Sequence, residues 1–151
     1  MSLEIIAEIA QGYEGDPKLT ELLVNGAVAS NADSIKLQLV FADELCVPTY
    51  PYFQLFRSLE MNESVWIKIV SLVHSKKKNI YFDVYGNKSL DLAKKLGADG
   101  VKISTTDFYN QDLIKKAFKN FKNVFVSIGG VPIEDVDSLV NDNILPNKLT
   151  L

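Results

Sequence analysis

An α/β fold built on a parallel sheet is what these 151 residues predict, on three observations. Short apolar runs alternate with amphipathic stretches along the whole chain. The runs are rich in Ile, Val, Phe and Tyr, and all but the first are too short for a typical helix. The intervening stretches carry helix start and stop signals. Strict alternation of this kind implies parallel strands joined by right-handed helical crossovers.

The first run, 4–10, reads as a strand. A helix over 17–30 follows, with Asp16 as N-cap and Pro17 at the first helical position. Its Leu19, Leu22, Leu23, Gly26, Ala27 and Ser30 recur at helical spacing. The second strand covers 34–40. Residues 41–60 form an irregular insertion holding Pro48, Tyr50, Pro51, Tyr52 and Phe53. A helix over 62–77 begins at Asn62 and places Val65, Trp66, Ile69, Val70 and Val73 on one face. It runs into Lys76, Lys77 and Lys78, a solvated C-terminus favoured by the macrodipole. Strands at 80–85, 100–104, 123–128 and 148–151 alternate with helices at 88–96, 110–120 and 132–141. Gly97 is a good C-cap for the first of these. The sequence stops inside the sixth strand. The expectation is that residues 1–151 are the N-terminal part of one larger domain, with about two more strand–helix units to follow if the sheet closes as a barrel.

Composition narrows the function classes. Sixteen Lys+Arg against nineteen Asp+Glu give a net charge of −3, without the cationic excess that nucleic-acid backbones require. No stretch reaches the ~18 uncharged apolar residues of a membrane helix. The start, Met1-Ser2-Leu3-Glu4, lacks the basic region of a signal peptide. One cysteine, Cys46, excludes an internal disulfide and a Cys-rich zinc site, so a cytoplasmic setting is expected. One histidine, His74, leaves little for His-based catalysis or metal binding, and its helix places it at the surface or in a groove. Cys46 reads as a packed thiol. Trp66 and the aromatics of residues 50–56 read as core and cover, with a subunit contact as the alternative for the latter.

Strand parity locates the chemistry. Ile35, Leu37 and Leu39 share one face, and Ser34, Lys36 and Gln38 the other. Ile80, Phe82 and Val84 oppose Tyr81, Asp83 and Tyr85; Val101 and Ile103 oppose Lys102 and Ser104; Val124, Val126 and Ile128 oppose Asn123, Phe125 and Ser127. Each strand therefore has an apolar face for a helix layer. The other face turns polar towards its C-terminal end: Glu8, Lys36, Gln38, Asp83, Lys102, Ser104 and Ser127. A doubly wound sheet meets helices on both faces and has no use for such a set. In a (β/α)8 barrel the second face points inward and the C-terminal mouth holds the active site. The pattern favours the barrel, truncated after about six strands and five helices. Two lysines with Ser, Thr and Gln form an anion pocket suited to phosphate or carboxylate. Glu8 and Asp107 are carboxylates able to bind sugar hydroxyls or transfer protons. Backbone amides of Ser127-Ile128-Gly129-Gly130 offer a further anion contact, although a Gly pair after a strand is usually just a turn. The bland alternative is a neutral buried network in which Glu8 and Asp83 simply pair with Lys36 and Lys102.

The motifs resemble a known family. Ala7-Glu8-Ile9-Ala10-Gln11-Gly12-Tyr13-Glu14-Gly15 is similar to the Ala-Glu-Ile-Gly-x-Asn-His-Asn-Gly opening of sialic acid (N-acetylneuraminate) synthases. Asn31-Ala32-Asp33-Ser34-Ile35-Lys36-Leu37-Gln38 resembles their Gly-Ala-Asp-x-x-Lys-Phe-Gln. Leu59-Glu60 and Trp66 fit the next segment. Val101-Lys102-Ile103-Ser104-Thr105-Thr106-Asp107, then Asn110, matches Lys-Ile-x-Ser-x-Glu/Asp, and Val126-Ser127-Ile128-Gly129 stands where the family has Leu-Ser-Thr-Gly. The order runs from residue 4 to about 140. The resemblance implies a barrel enzyme of polysaccharide biosynthesis that condenses phosphoenolpyruvate with an N-acyl amino sugar to a nonulosonic acid. By that analogy Lys36, Gln38, Lys102, Thr105 and Ser127 hold phosphoenolpyruvate, with Asp83 and Ser104 among the substrate-binding set. Glu8, Lys102 and Asp107 are then the catalytic candidates. The resemblance also implies a divalent metal, Mn or Mg, whose histidine ligands lie outside this sequence, and a homodimer at full length. The sequence departs from the family at Gly12-Tyr13, at Asp83 where a Thr is expected, and at Ile128-Gly129-Gly130. Two other readings remain: a Schiff-base aldolase acting through Lys102, and a degenerate barrel that serves as a binding module.

Overall fold

The computed structural model describes residues 3–141 and 149–150. Six parallel strands form one sheet in sequence order: β1 (Ile6–Ala10), β2 (Ser34–Gln38), β3 (Asn79–Val84), β4 (Gly100–Ile103), β5 (Asn123–Val126) and β6 (Leu149–Thr150). An order without reversal, joined by crossovers of one hand, places every helix on the same face. That is the wall of a (β/α)8 barrel, and it excludes a doubly wound sheet, whose order must reverse.

The helices are α1 (Pro17–Ala29), α2 (Ala42–Leu45), α3 (Phe53–Ser58), α4 (Glu63–Ser75), α5 (Asn87–Leu96), α6 (Gln111–Asn120) and α7 (Ile133–Asn141), with a 3-10 turn at Thr105–Asp107. The five expected helices are α1, α4, α5, α6 and α7, and among the described residues two short ones, α2 and α3, are added to them. The irregular insertion at 41–60 contains α2 and α3, each too short to show a helical repeat, with Pro48 and Pro51 between them. The first strand starts at Ile6 instead of Glu4. There the chain turns towards Asp33, whose carboxylate accepts the Ile5 amide at 2.8 Å. The fourth strand ends at Ile103, because Thr105 already opens the 3-10 turn.

Local signals account for several helix ends. Asp16 accepts from the amides of Lys18 (2.7 Å) and Leu19 (3.3 Å), a full N-cap for α1. Gly97 ends α5 in the left-handed conformation, φ 74°. Asn62 occupies the N-cap position of α4 but makes no side-chain cap bond.

The core lies between the sheet and this helix layer. Ile35, Leu37, Ile80, Phe82, Val84, Val101, Ile103, Val124 and Val126 are all buried there, as their parity requires. Trp66 of α4 joins them edge-on to Phe82 (5.6 Å between centroids) and Tyr13 (5.4 Å). Such edge-to-face pairs add roughly 0.5–1.5 kcal/mol beyond area burial.

The inner face of the sheet has two levels. Near the strand starts, the Tyr81 ring packs on Phe125 (5.3 Å), and its hydroxyl donates to Glu4 Oε1 at 2.7 Å. Ser34 donates to the same oxygen. Tyr81 and Ser34 are buried in this lower level, Phe125 is partly buried and Glu4 is exposed; the upper level, towards the C-terminal ends, is left to charged groups.

Candidate functional site

Register brings the charged residues together. Glu8 pairs with Lys36 across β1 and β2, and Gln38, Asp83 and Lys102 stand side by side across β2, β3 and β4. Parallel strands in register aim same-parity side chains at one point, so five residues distant in sequence converge.

Asp83 is the centre of the group. It is 3% exposed, and its two oxygens serve three donors. Oδ1 meets Lys36 Nζ at 2.8 Å; Oδ2 meets Lys102 Nζ and Gln38 Nε2, each at 3.4 Å. Lys36 also pairs with Glu8 Oε2. Glu8 Oε1 accepts the Ala10 amide at 2.9 Å. That bond closes over a register shift at the end of β1, where Ala10 takes a positive φ of 53°. The bulge thus fixes the direction of the Glu8 side chain. The two lysines differ in access: the Lys36 side chain is 11% exposed and that of Lys102 32%.

A second group lies along the rim. Thr105 Oγ1 donates to Ser127 Oγ at 2.7 Å, joining the ends of β4 and β5. Ser104 Oγ accepts from Thr106 at 3.1 Å. Asp107 closes the 3-10 turn, with Asn110 Nδ2 at 3.4 Å from its Oδ1. Burial pushes the Asp107 carboxyl above its ordinary value, Asn110 and Thr106 pull it back, and the Glu44 charge adds to the rise. No hydrogen bond or ion pair among the described residues joins Ser104, Thr105, Asp107 or Ser127 to the Asp83 group. The structure therefore places the nine candidates in two clusters. The first holds Glu8, Lys36, Gln38, Asp83 and Lys102; the second holds Ser104, Thr105, Asp107 and Ser127.

Two tyrosines and a glutamate extend the site beyond the sequence candidates. Tyr13, from the loop after β1, is fully buried and donates to the Gln38 carbonyl at 3.0 Å, holding the end of β2. Tyr85 follows Asp83 on the same face; burial raises its hydroxyl pKa most, with the charges of Asp83 and Glu8 adding to the rise. Burial likewise raises Tyr13 and brings Tyr81 up to about 12. Glu44 of α2 accepts the amides of Lys88 and Ser89 at the start of α5. Parity alone already aligned Tyr85 with Asp83. Tyr13 stands out only as a departure from the family's opening motif, and nothing local marks its role or that of Glu44, whose partners lie far along the chain.

The chemistry available here is anion recognition beside paired carboxylates. Two ammonium groups and an amide come from three consecutive strands, with hydroxyls on the rim. Metal ligation does not fit: the described residues contain no group of three His, Cys, Asp or Glu side chains placed to share an ion. Glu8 and Asp83 are both engaged with Lys36. His74 pairs with Asp99 at 2.9 Å, at the opposite end of the sheet where α4 leads into β3. Cys46 is partly buried, its thiol 3.9 Å from the Ala42 carbonyl. An outer groove lined by Phe41, Met61 and Leu92 lies between the segment that connects β2 to α4 and helix α5. Among the described residues, no helix is long and apolar enough to cross a membrane.

Known proteins share this architecture. A chain of N-acetylneuraminic acid (sialic acid) synthetase from Leptospira borgpetersenii superposes with a TM-score of 0.83 at 20% identity, over 91% of this chain and 49% of that one. In sequence, N,N'-diacetyllegionaminic acid synthase of Campylobacter jejuni is 28% identical over 154 residues, covering 91% of this chain and 45% of the relative. An uncharacterized protein of Methanocaldococcus jannaschii is 28% identical over 134 residues, covering 87% and 39%. The chain thus spans less than half the length of these two relatives. The NeuB family model matches residues 23–148, from the middle of α1 to the approach of β6, and this chain belongs to the NeuB family.

Proposed function

We propose that the protein is a phosphoenolpyruvate-dependent transferase that joins phosphoenolpyruvate to an N-acyl amino sugar, giving a nonulosonic acid. The observation that carries this reading is the convergence of Lys36, Gln38 and Lys102 at the C-terminal ends of β2 and β4 around Asp83. A TIM-type wall presents its chemistry at that end, and paired lysines suit a ligand with both a carboxylate and a phosphate. The similarity to an N,N'-diacetyllegionaminic acid synthase and to an N-acetylneuraminic acid synthetase supports the product class of this reading.

In this reading Lys36, Gln38, Lys102, Thr105 and Ser127 hold phosphoenolpyruvate, with Asp83 orienting the lysines and Ser104 at the rim. Glu8 and Asp107 bind and polarise the sugar. The methylene carbon of phosphoenolpyruvate bonds to the aldehyde carbon of the sugar, whose oxygen takes up a proton; water adds at the carbon that bears the phosphate, and the bond to phosphate breaks so that inorganic phosphate leaves. Fixed ammonium groups stabilise the charge that shifts in this step without having to reorganise. A divalent ion, Mn or Mg, takes its ligands from outside these residues, and no step is assigned to it. The setting is the cytoplasm, where a single free thiol stays reduced. The full-length protein is a homodimer.

The aldolase alternative requires Lys102 to attack a carbonyl, but its nitrogen is ion-paired with Asp83 at 3.4 Å. Borohydride trapping leaves Lys102 unmodified if the condensation reading is right. Its direct test is phosphate release. The expected result is release only when phosphoenolpyruvate, an N-acyl amino sugar and a divalent ion are present together. Absence of release with every N-acyl hexosamine and its relatives rejects the proposal.

A further inference from the structure

We propose that Asp83 sets the anion affinity of the mouth, as a built-in carboxylate that engages both lysines and that an arriving anion must displace from Lys102. The inference rests on the anion-binding reading above and adds what decides affinity within it. Formal charge in the cluster is balanced: Glu8 and Asp83 against Lys36 and Lys102. An empty site lined by two free lysines attracts any anion. This one is already neutral, and the neutralising carboxylate is itself almost fully buried.

The balance is uneven in space, which assigns the order of events. Lys36 is held at 2.8 Å by Asp83, is shared with Glu8, and is buried. Lys102 has one contact in the cluster, at 3.4 Å, and three times the exposure of Lys36. Lys36 is therefore the fixed positive end and Lys102 the arm that exchanges Asp83 for the ligand. Each negative charge on the ligand meets two retained carboxylates. The mouth accordingly favours a ligand whose anionic group reaches Lys102, and phosphate and phosphoenolpyruvate both bind there against the Asp83 charge. Coulomb repulsion from a like charge ~4–6 Å away in a partly buried site weakens binding of an ion by about tenfold or more.

The test is binding of inorganic phosphate and of phosphoenolpyruvate to the protein and to Asp83→Asn, Asp83→Thr, Lys102→Met and the double variant Asp83→Asn/Lys102→Met. The expected result is a gain of about tenfold for both probes in the Asp83 variants, and loss of that gain in the Lys102→Met background. A merely structural Asp83 gives no such coupling. Equal or weaker binding in folded Asp83→Asn and Asp83→Thr overturns the proposal, as does an additive double variant. The unmutated protein gives an independent readout. In amine labelling read by mass spectrometry, phosphate protects Lys102 and leaves Lys36 unchanged; absence of protection at Lys102 overturns the proposal. Condensation activity separates the two readings. Phosphate release by the wild type without tighter binding in the variants rejects the role of Asp83 alone. Tighter binding in the variants without any phosphate release keeps that role and rejects the condensation.

Discussion

At the scale of single residues, burial decides which lysine matters for stability. Removing Lys36 leaves Asp83, 3% exposed, without its nearest counter-charge. Breaking a buried pair in this way costs about 3–5 kcal/mol. Lys102 is more exposed and its contact is longer, so Lys102→Met costs about 1 kcal/mol or less. Urea unfolding of the two variants checks this ordering, and equal losses contradict it. Proton linkage gives a second expectation. Tyr81 titrates at about 12 in the folded chain against 10.0 ordinarily, and Tyr13 and Tyr85 are raised as well. The folded state therefore holds protons that the unfolded state releases above pH 10, and stability falls as pH rises from 10 towards 12. Tyr81→Phe makes that decline shallower, measured by thermal melts across the range. For Asp107, also raised, the favourable contribution is complete below 3.8 and is lost as pH rises through its folded value. The polar parity of Glu8, Lys36, Gln38, Asp83 and Lys102 was legible in the sequence because strand alternation is a strict period of two. Their pairing was not legible as a single outcome, since a free anion pocket and a neutral network share the same residues. Glu4 on Tyr81 was beyond reach, because that contact joins residues 77 apart.

At the scale of elements, β2, β3 and the longer helices followed from apolar periodicity, and Asp16, Pro17 and Gly97 marked ends that the structure keeps. Helices α2 and α3 were hidden by their length, four and six residues, over which no period can be read. What fixes the insertion is a long-range cap. Glu44 of α2 accepts the amides of Lys88 and Ser89, supplying the carboxylate that the α5 N-terminus attracts. The chain comes so close at Gly86 that a Cβ there stands 2.5 Å from Glu44 Oε1. Glu44→Ala is expected to cost about 1–2 kcal/mol, and Gly86→Ala to shift stability in the same direction by displacing the carboxylate. Hydrogen exchange should show faster opening of the first turn of α5 in both. Unchanged protection there refutes the capping role.

At the scale of the molecule, a sheet in sequence order with helices on one side leaves its other face to chemistry, and that face carries the charges. The barrel class was legible because only a one-sided helix layer reconciles a wholly apolar face with a polar one. Among the described residues, β1 pairs only with β2, and β6 only with β5. Outer edges of this kind associate. The 151 residues produced by themselves are therefore expected to self-associate in sedimentation velocity, and a monodisperse monomer contradicts this. Whether the lysines at the strand ends serve condensation is read from the rate of phosphate release from phosphoenolpyruvate, with an N-acyl amino sugar and Mn, by the protein and by Lys102→Met. Sugar-dependent release that falls by at least 100-fold in the variant is the predicted result. Release at an equal rate in both, or none in the unmutated protein, contradicts it.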